Sequence, residues 1–130
     1  MDRVFLDANV LFSAAYRPDA GLLGLWKLRD VVLCTSRYAL EEARINLTEE
    51  AQAVRLQKLA ADLDIFDSPF QELPPGIALP GKDAPILQAA IALRATHLLT
   101  GDLRHFGPYL GKSIGGVLVL LPAHYLKSRA

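Results

Sequence analysis

Short apolar runs that end abruptly in polar or turn residues punctuate the chain. Val4-Phe5-Leu6 stops at Asp7, Val31-Val32-Leu33-Cys34 at Thr35, His97-Leu98-Leu99-Thr100 at Gly101, and Val117-Leu118-Val119-Leu120-Leu121 at Pro122. Runs of this kind, without alternation, suit strands covered on both faces, as in a parallel sheet. Between them the apolar period changes. Ser36, Leu40, Ala43 and Leu47, then Ala53, Leu56, Ala60 and Leu63, then Ile86, Ala89, Ala90 and Leu93 follow three- and four-residue spacings. They predict amphipathic helices over 36–47, 53–63 and about 84–95. Leu22, Leu25 and Trp26 predict another within 20–29, with Trp26 as a core anchor. Strands alternating with helices define an α/β fold around a central parallel sheet with right-handed crossovers.

Residues 67–82 carry four prolines and two glycines, which stop any helix and predict a long internal connection. Neither side of it is long enough for a comfortable domain, so residues 1–130 read as one domain without internal repeats. A hydrophobic fraction of 52% excludes a disordered chain. Fourteen Lys+Arg balance fourteen Asp+Glu, which removes the simplest argument for nucleic-acid binding, a strongly basic domain. The balance is uneven: residues 1–67 hold 11 acids and 8 bases, residues 68–130 hold 3 acids and 6 bases, so a modest basic face is open to the second half. Cys34 stands alone and suits a buried small residue in a reducing compartment. The first apolar run is too short for a signal-peptide core. Ile114 to Ala123, broken by two glycines and a proline, falls short of the roughly 20 residues of a membrane span. The expectation is a soluble cytoplasmic protein.

The acids supply the chemistry. Asp7 directly follows the first strand and Asp102 follows the third across one glycine, at the carboxyl edge where open parallel sheets bind ligands. Asp83 opens the helix at 84. Each alone has an ordinary role, Asp7 and Asp83 as helix N-caps and Asp102 as a turn residue. Glu41 and Glu42 lie about equally far on either side of their helix's apolar face, and periodicity does not choose between them. Carboxylates converging on one cleft repel one another unless a cation neutralises them. Without cysteines or clustered histidines, such a set suits Mg²⁺-type phosphodiester hydrolysis better than zinc chemistry. His97, His105 and His124 show no ligand spacing to one another, and His97 reads as a core residue. The chain has no Gly-rich phosphate loop, no Gly-x-Ser-x-Gly elbow, and no histidine near Ser13, Ser36 or Cys34 to mark a triad.

In chain order, Phe5-Leu6-Asp7-Ala8-Asn9-Val10-Leu11-Phe12-Ser13-Ala14, Ser36-Arg37-Tyr38-Ala39-Leu40-Glu41-Glu42, Lys82-Asp83-Ala84-Pro85-Ile86 and Leu98-Leu99-Thr100-Gly101-Asp102-Leu103-Arg104-His105-Phe106 resemble the PIN-domain family. The resemblance covers almost the whole chain. It implies a three-layer α/β/α fold with a mostly parallel sheet, and a Mg²⁺- or Mn²⁺-dependent endoribonuclease like the VapC-like toxins of type II toxin–antitoxin pairs. Carried over by position, Asp7, Glu42, Asp83 and Asp102 are the catalytic and metal-binding acids, with Glu42 favoured over Glu41 by its offset from Ser36. Asn9 and Thr100 support them, His105 is a neighbour of the site, and Phe106 packs. Some members carry a further acid after Asp102, where this chain has Leu103, Arg104 and His105. A metal-activated water would attack the phosphate in line, leaving a 5′-phosphate and a 3′-hydroxyl. The implied partners are RNA, a small antitoxin protein and a second copy of the chain, with Arg37, Arg44, Arg94 and Arg104 available to hold RNA backbone. The competing reading is a catalytically silent PIN-like regulatory or protein-interaction module, against which the complete set of four acids argues. A receiver- or phosphatase-like domain would need an Asp nucleophile with a Lys or Thr partner in another arrangement.

Overall fold

In the computed structural model, which describes residues 1–67 and 72–129, six strands form one sheet: β1 (Asp2–Leu6), β2 (Val31–Ser36), β3 (Asp64–Phe66), β4 (His97–Leu99), β5 (Ser113–Ile114) and β6 (Val117–Leu120). Their order is β3-β2-β1-β4-β6-β5, with every pairing parallel except β5 against β6. Helices α1 (Ala8–Tyr16), α2 (Arg37–Asn46), α3 (Glu50–Ala60), α4 (Ala84–Ala92) and α5 (Pro122–Ser128) flank the sheet, giving the three-layer α/β/α architecture. β1 sits at the centre, and Val4, Phe5 and Leu6 are fully buried, as an uninterrupted apolar run requires. Phe5 pairs with Cys34 on one side and Leu98 on the other. The chain leaves β1 toward β2 and β3, then returns to the other flank as β4, so the order reverses beside β1. A crevice opens at such a switch point.

The strand runs of the sequence all appear, and the helices appear with shifted ends. Ser36 caps α2, its Oγ accepting from Ala39 N at 3.1 Å. The helix expected over 53–63 begins earlier, at Glu50, because Glu49 and Gln52 form a reciprocal capping box. The helix expected within 20–29 is a 3-10 run, Gly21–Lys27, and Trp26 is half-buried with its Nε1 donating to Leu59 O at 3.0 Å. Among the described residues, β3, β5, α5 and a short 3-10 turn at Gly107–Tyr109 were not visible in the pattern. β5 turns into β6 through Gly115 and Gly116 at φ +57° and +85°, the left-handed pair that a tight hairpin demands. A Cβ on Gly115 would also lie 3.0 Å from Ile91 Cδ1.

Of the proline-rich connection, residues 68–71 lie outside the described residues. Its last part closes a turn, Asp83 N donating to Pro80 O at 2.9 Å, which delivers the chain to α4. Cys34 is buried as expected, and burial pushes its thiol up to about 11. Phe106 is fully buried. Among the described residues no helix is long and apolar enough to cross a membrane.

Candidate active site

The ends of β1 and β4 are in register, Leu6 opposite Leu99, so the residues after them meet at the carboxyl edge. Asp7 fills the expected N-cap position of α1, its Oδ1 accepting from Ala8 N at 2.6 Å. Its other oxygen faces β4, accepting from Thr100 Oγ1 at 2.8 Å and Asn9 Nδ2 at 3.1 Å. Asp7 is only 4% exposed. Burial raises its carboxyl to about 6, against the Thr100 and Ala8 hydrogen bonds that hold it down, and the charges of Asp83 and Asp102 add to the rise.

Asn9 and Thr100 tie the two loops together. Asn9 Oδ1 accepts from Gly101 N at 2.8 Å, and the Thr100 hydroxyl accepts from Asp102 N at 3.1 Å. Asp102 makes the expected turn with Oδ1, which accepts from Arg104 N at 2.9 Å and His105 N at 3.0 Å. Its Oδ2 is left to face His105 Nδ1 at 3.3 Å.

Asp83 departs from its ordinary role. It stands at the N-cap of α4 with helical dihedrals, φ −98° and ψ −28°, and its side chain caps nothing. Its Oδ2 is a buried oxygen without a hydrogen bond. His105 Nδ1 lies only 2.8 Å away, but the approach lacks hydrogen-bond geometry. A buried oxygen left so costs about 1–3 kcal/mol, more when charged, and calls for an electropositive partner.

These acids line a cleft of about 640 Å³ together with Asn9, Phe12, Glu42, Lys82, Arg104 and His105. Glu42 is on its wall. Glu41 is not, and pairs with Arg44, whose Nε lies 3.0 Å from Glu41 Oε2. Thus Asp7, Glu42, Asp83 and Asp102 come together with His105, while Thr100 and Asn9 brace them. Of the four arginines considered for RNA backbone, Arg104 alone lines the cleft. Arg37 pairs with Asp67 at 2.6 Å, Arg44 with Glu41, and Arg94 follows the far end of α4 at φ +55°. Lys82 was missed by sequence reasoning, although its place beside Asp83 was a signal. So was Tyr38, one helical turn before Glu42, whose hydroxyl donates to Lys82 O at 3.0 Å and so links α2 to the approach to α4. Burial raises the Tyr38 phenol, helped by the charges of Glu42, Asp83 and Asp7. A second hollow of about 540 Å³ adjoins the cleft through Glu42, with Tyr38, Ile45 and Phe66 on its walls.

The donor set suits a hard divalent cation: carboxylates from separate elements, with one deeply buried oxygen that has no hydrogen bond among the described residues. The PIN-domain family description matches residues 3–104, and the chain belongs to that family. Among solved structures it is similar to VapBC2 from Rickettsia felis bound to a DNA fragment from their promoter, at 19% identity and TM-score 0.63, over 90% of this chain and 96% of that one. It is also similar to FitAcB from Neisseria gonorrhoeae, at 20% identity and TM-score 0.53, over 93% and 99% of the two chains. FitAB bound to an IR36 DNA fragment aligns at 20% identity and TM-score 0.53, over 92% and 94%. No curated protein matches the sequence.

Proposed function

We propose that the protein is a metal-dependent endoribonuclease, a single domain over residues 1–130, with Asp7, Glu42, Asp83 and Asp102 holding Mg²⁺ or Mn²⁺. The observation that carries this reading is the buried Asp83 Oδ2, without a hydrogen bond among the described residues, in a cleft shared by the other three acids. A bound divalent ion there supplies the charge that polarises a phosphodiester and acidifies a water. The chain's own residues do the rest. Thr100 and Asn9 hold Asp7 in a fixed orientation, so that it need not reorganise when an ion arrives. Lys82 and Arg104 on the cleft wall attract the phosphate backbone, and they supply locally the positive charge that the chain as a whole lacks. RNA as the substrate comes with the family.

The same reading makes the protein a cytoplasmic toxin that pairs with itself and is silenced by a small antitoxin. Likeness of fold to VapBC2 and FitAB supports the partner, and the apolar hollow beside Glu42 offers it a surface. The lone, buried Cys34 suits a reducing compartment.

The test is cleavage of a panel of structured and single-stranded RNAs by the purified protein with Mn²⁺, with EDTA, and with the Asp7→Asn variant in parallel. Metal-dependent cutting lost in the variant is the expected result. A folded protein that binds Mn²⁺ yet cuts nothing would favour a silent, partner-dependent module instead.

A further inference from the structure

His105 has no part in the four-acid reading, yet its ring stands among the ligands. Its Nδ1 is 2.8 Å from Asp83 Oδ2 and 3.3 Å from Asp102 Oδ2, and ligand atoms of the three residues all lie within 4.8 Å of one another. Adjacent donors around an octahedral ion with bonds of about 2.1 Å are about 3.0 Å apart, and the two contacts bracket that edge. The Asp83 contact is also not a hydrogen bond: Oδ2 is buried without a partner although the imidazole nitrogen is beside it. Two polar atoms this close, with no hydrogen bond between them, leave room for a cation that both could ligate. The ring is held in place from behind, His105 N donating to Asp102 Oδ1 at 3.0 Å and the next residue, Phe106, being fully buried.

We propose that His105 Nδ1, with Asp83 Oδ2 and Asp102 Oδ2, is a direct ligand of the metal ion, and that this imidazole selects a first-row transition dication over Mg²⁺. The inference rests on the functional reading above and refines its metal. Mg²⁺ takes oxygen donors and keeps its waters, whereas an imidazole nitrogen gains affinity along the first-row series. For ligation the ring carries its proton on Nε2, leaving the Nδ1 lone pair to the ion. Among the other nitrogen-bearing side chains of the cleft wall, Lys82 and Arg104 are cations and the amide nitrogens of Asn9 and Asn46 are donors only, so none offers a nitrogen lone pair.

The test uses the full chain with one equivalent of Mn²⁺ as a paramagnetic probe. Pulsed electron paramagnetic resonance reads nitrogen coupling to the ion, and calorimetric titration gives affinity for Mn²⁺ and Mg²⁺. The wild type is expected to show coupled nitrogen and to prefer Mn²⁺. In His105→Gln the coupling disappears and Mn²⁺ affinity drops by about tenfold or more, while Mg²⁺ affinity holds. His105→Asp restores ion binding without nitrogen and moves the preference toward Mg²⁺. Mn²⁺ bound to the wild type without nitrogen coupling, or coupling that survives in His105→Gln, overturns the His105 assignment and leaves the four-acid reading standing. Failure of the wild type to bind either ion overturns both.

Discussion

The Thr100 hydroxyl donates to Asp7 Oδ2 across 2.8 Å, joining the ends of β1 and β4 through residues 93 positions apart. Thr100 Oγ1 in turn accepts from Asp102 N at 3.1 Å, so one side chain sets two of the acids relative to each other. Thr100→Val keeps the volume and removes both bonds. The expected outcome is a loss of about 1–3 kcal/mol in urea unfolding, because Asp7 Oδ2 stays buried with a donor missing. Mn²⁺ affinity should fall with it. Unchanged stability and binding would show that Asn9 alone holds the carboxylate.

The Asp7 carboxyl, raised to about 6 by burial from an ordinary value of 3.8, makes stability depend on pH. The folded state binds this proton more tightly than the unfolded chain, so its contribution is full below about pH 4. It is lost as pH rises through 6, a decline on the order of 3 kcal/mol. Denaturant unfolding of the ion-free protein at pH 4.5 and 7 should show about 2 kcal/mol of that decline, since pH 4.5 already lies above the ordinary value. Saturating Mn²⁺ should offset it at pH 7, where an ion that binds only the folded state stabilises it. A protein as stable without ion at pH 7 as at pH 4.5 would mean that Asp7 is better solvated than its burial implies.

Asp83→Asn separates fold from function. The side chain caps nothing and accepts nothing at Oδ2, so removing its charge relieves repulsion with Asp7. The melting temperature of the ion-free variant should hold or rise. RNA cleavage should drop by about 100-fold or more, since the ion loses a ligand. A large fall in melting temperature instead would give Asp83 a structural role.

Glu41 and Glu42 are adjacent in sequence and unlike in place. Glu41→Gln breaks an exposed pair with Arg44, and activity should stay near wild type. Glu42→Gln changes the cleft wall and should abolish most cleavage and weaken Mn²⁺ binding. Kinetics and Mn²⁺ titration of the two variants side by side would reverse the assignment if Glu41→Gln were the inactive one.

What could be read beforehand follows from how each element is buried. β1, β2, β4 and β6 are covered on both faces or paired on both sides, and their apolar runs are continuous. β3 and β5 are the two edges, three and two residues long, and leave no such trace. Pro122 reads as the end of a strand, yet it also begins α5, because a missing N–H costs nothing in a helix's first turn. Asp7 and Asp102 were legible by their place after strands, and Asp83 by opening a helix. The choice between the two glutamates was not legible from periodicity, because it depends on Arg44 lying within reach of Glu41. His105 was legible only as a neighbour of the site, because the carboxylate of Asp83 that it meets comes from a distant segment and no further histidine stands nearby to mark a ligand spacing. Of the four arginines only Arg104 reaches the cleft, and Arg37 and Arg44 are drawn to Asp67 and Glu41, because a basic residue's use depends on which acid is nearest in space.

The central seat of β1 has a consequence in time. The first strand to be synthesised waits for one of the last, and until residues 97–100 slot in beside it Asp7 has neither Thr100 nor Asp102 for company. The crevice is therefore born only with the finished fold. A half-made copy on the ribosome already carries Asp7 and Glu42, but not yet the partners that gather them into one cleft.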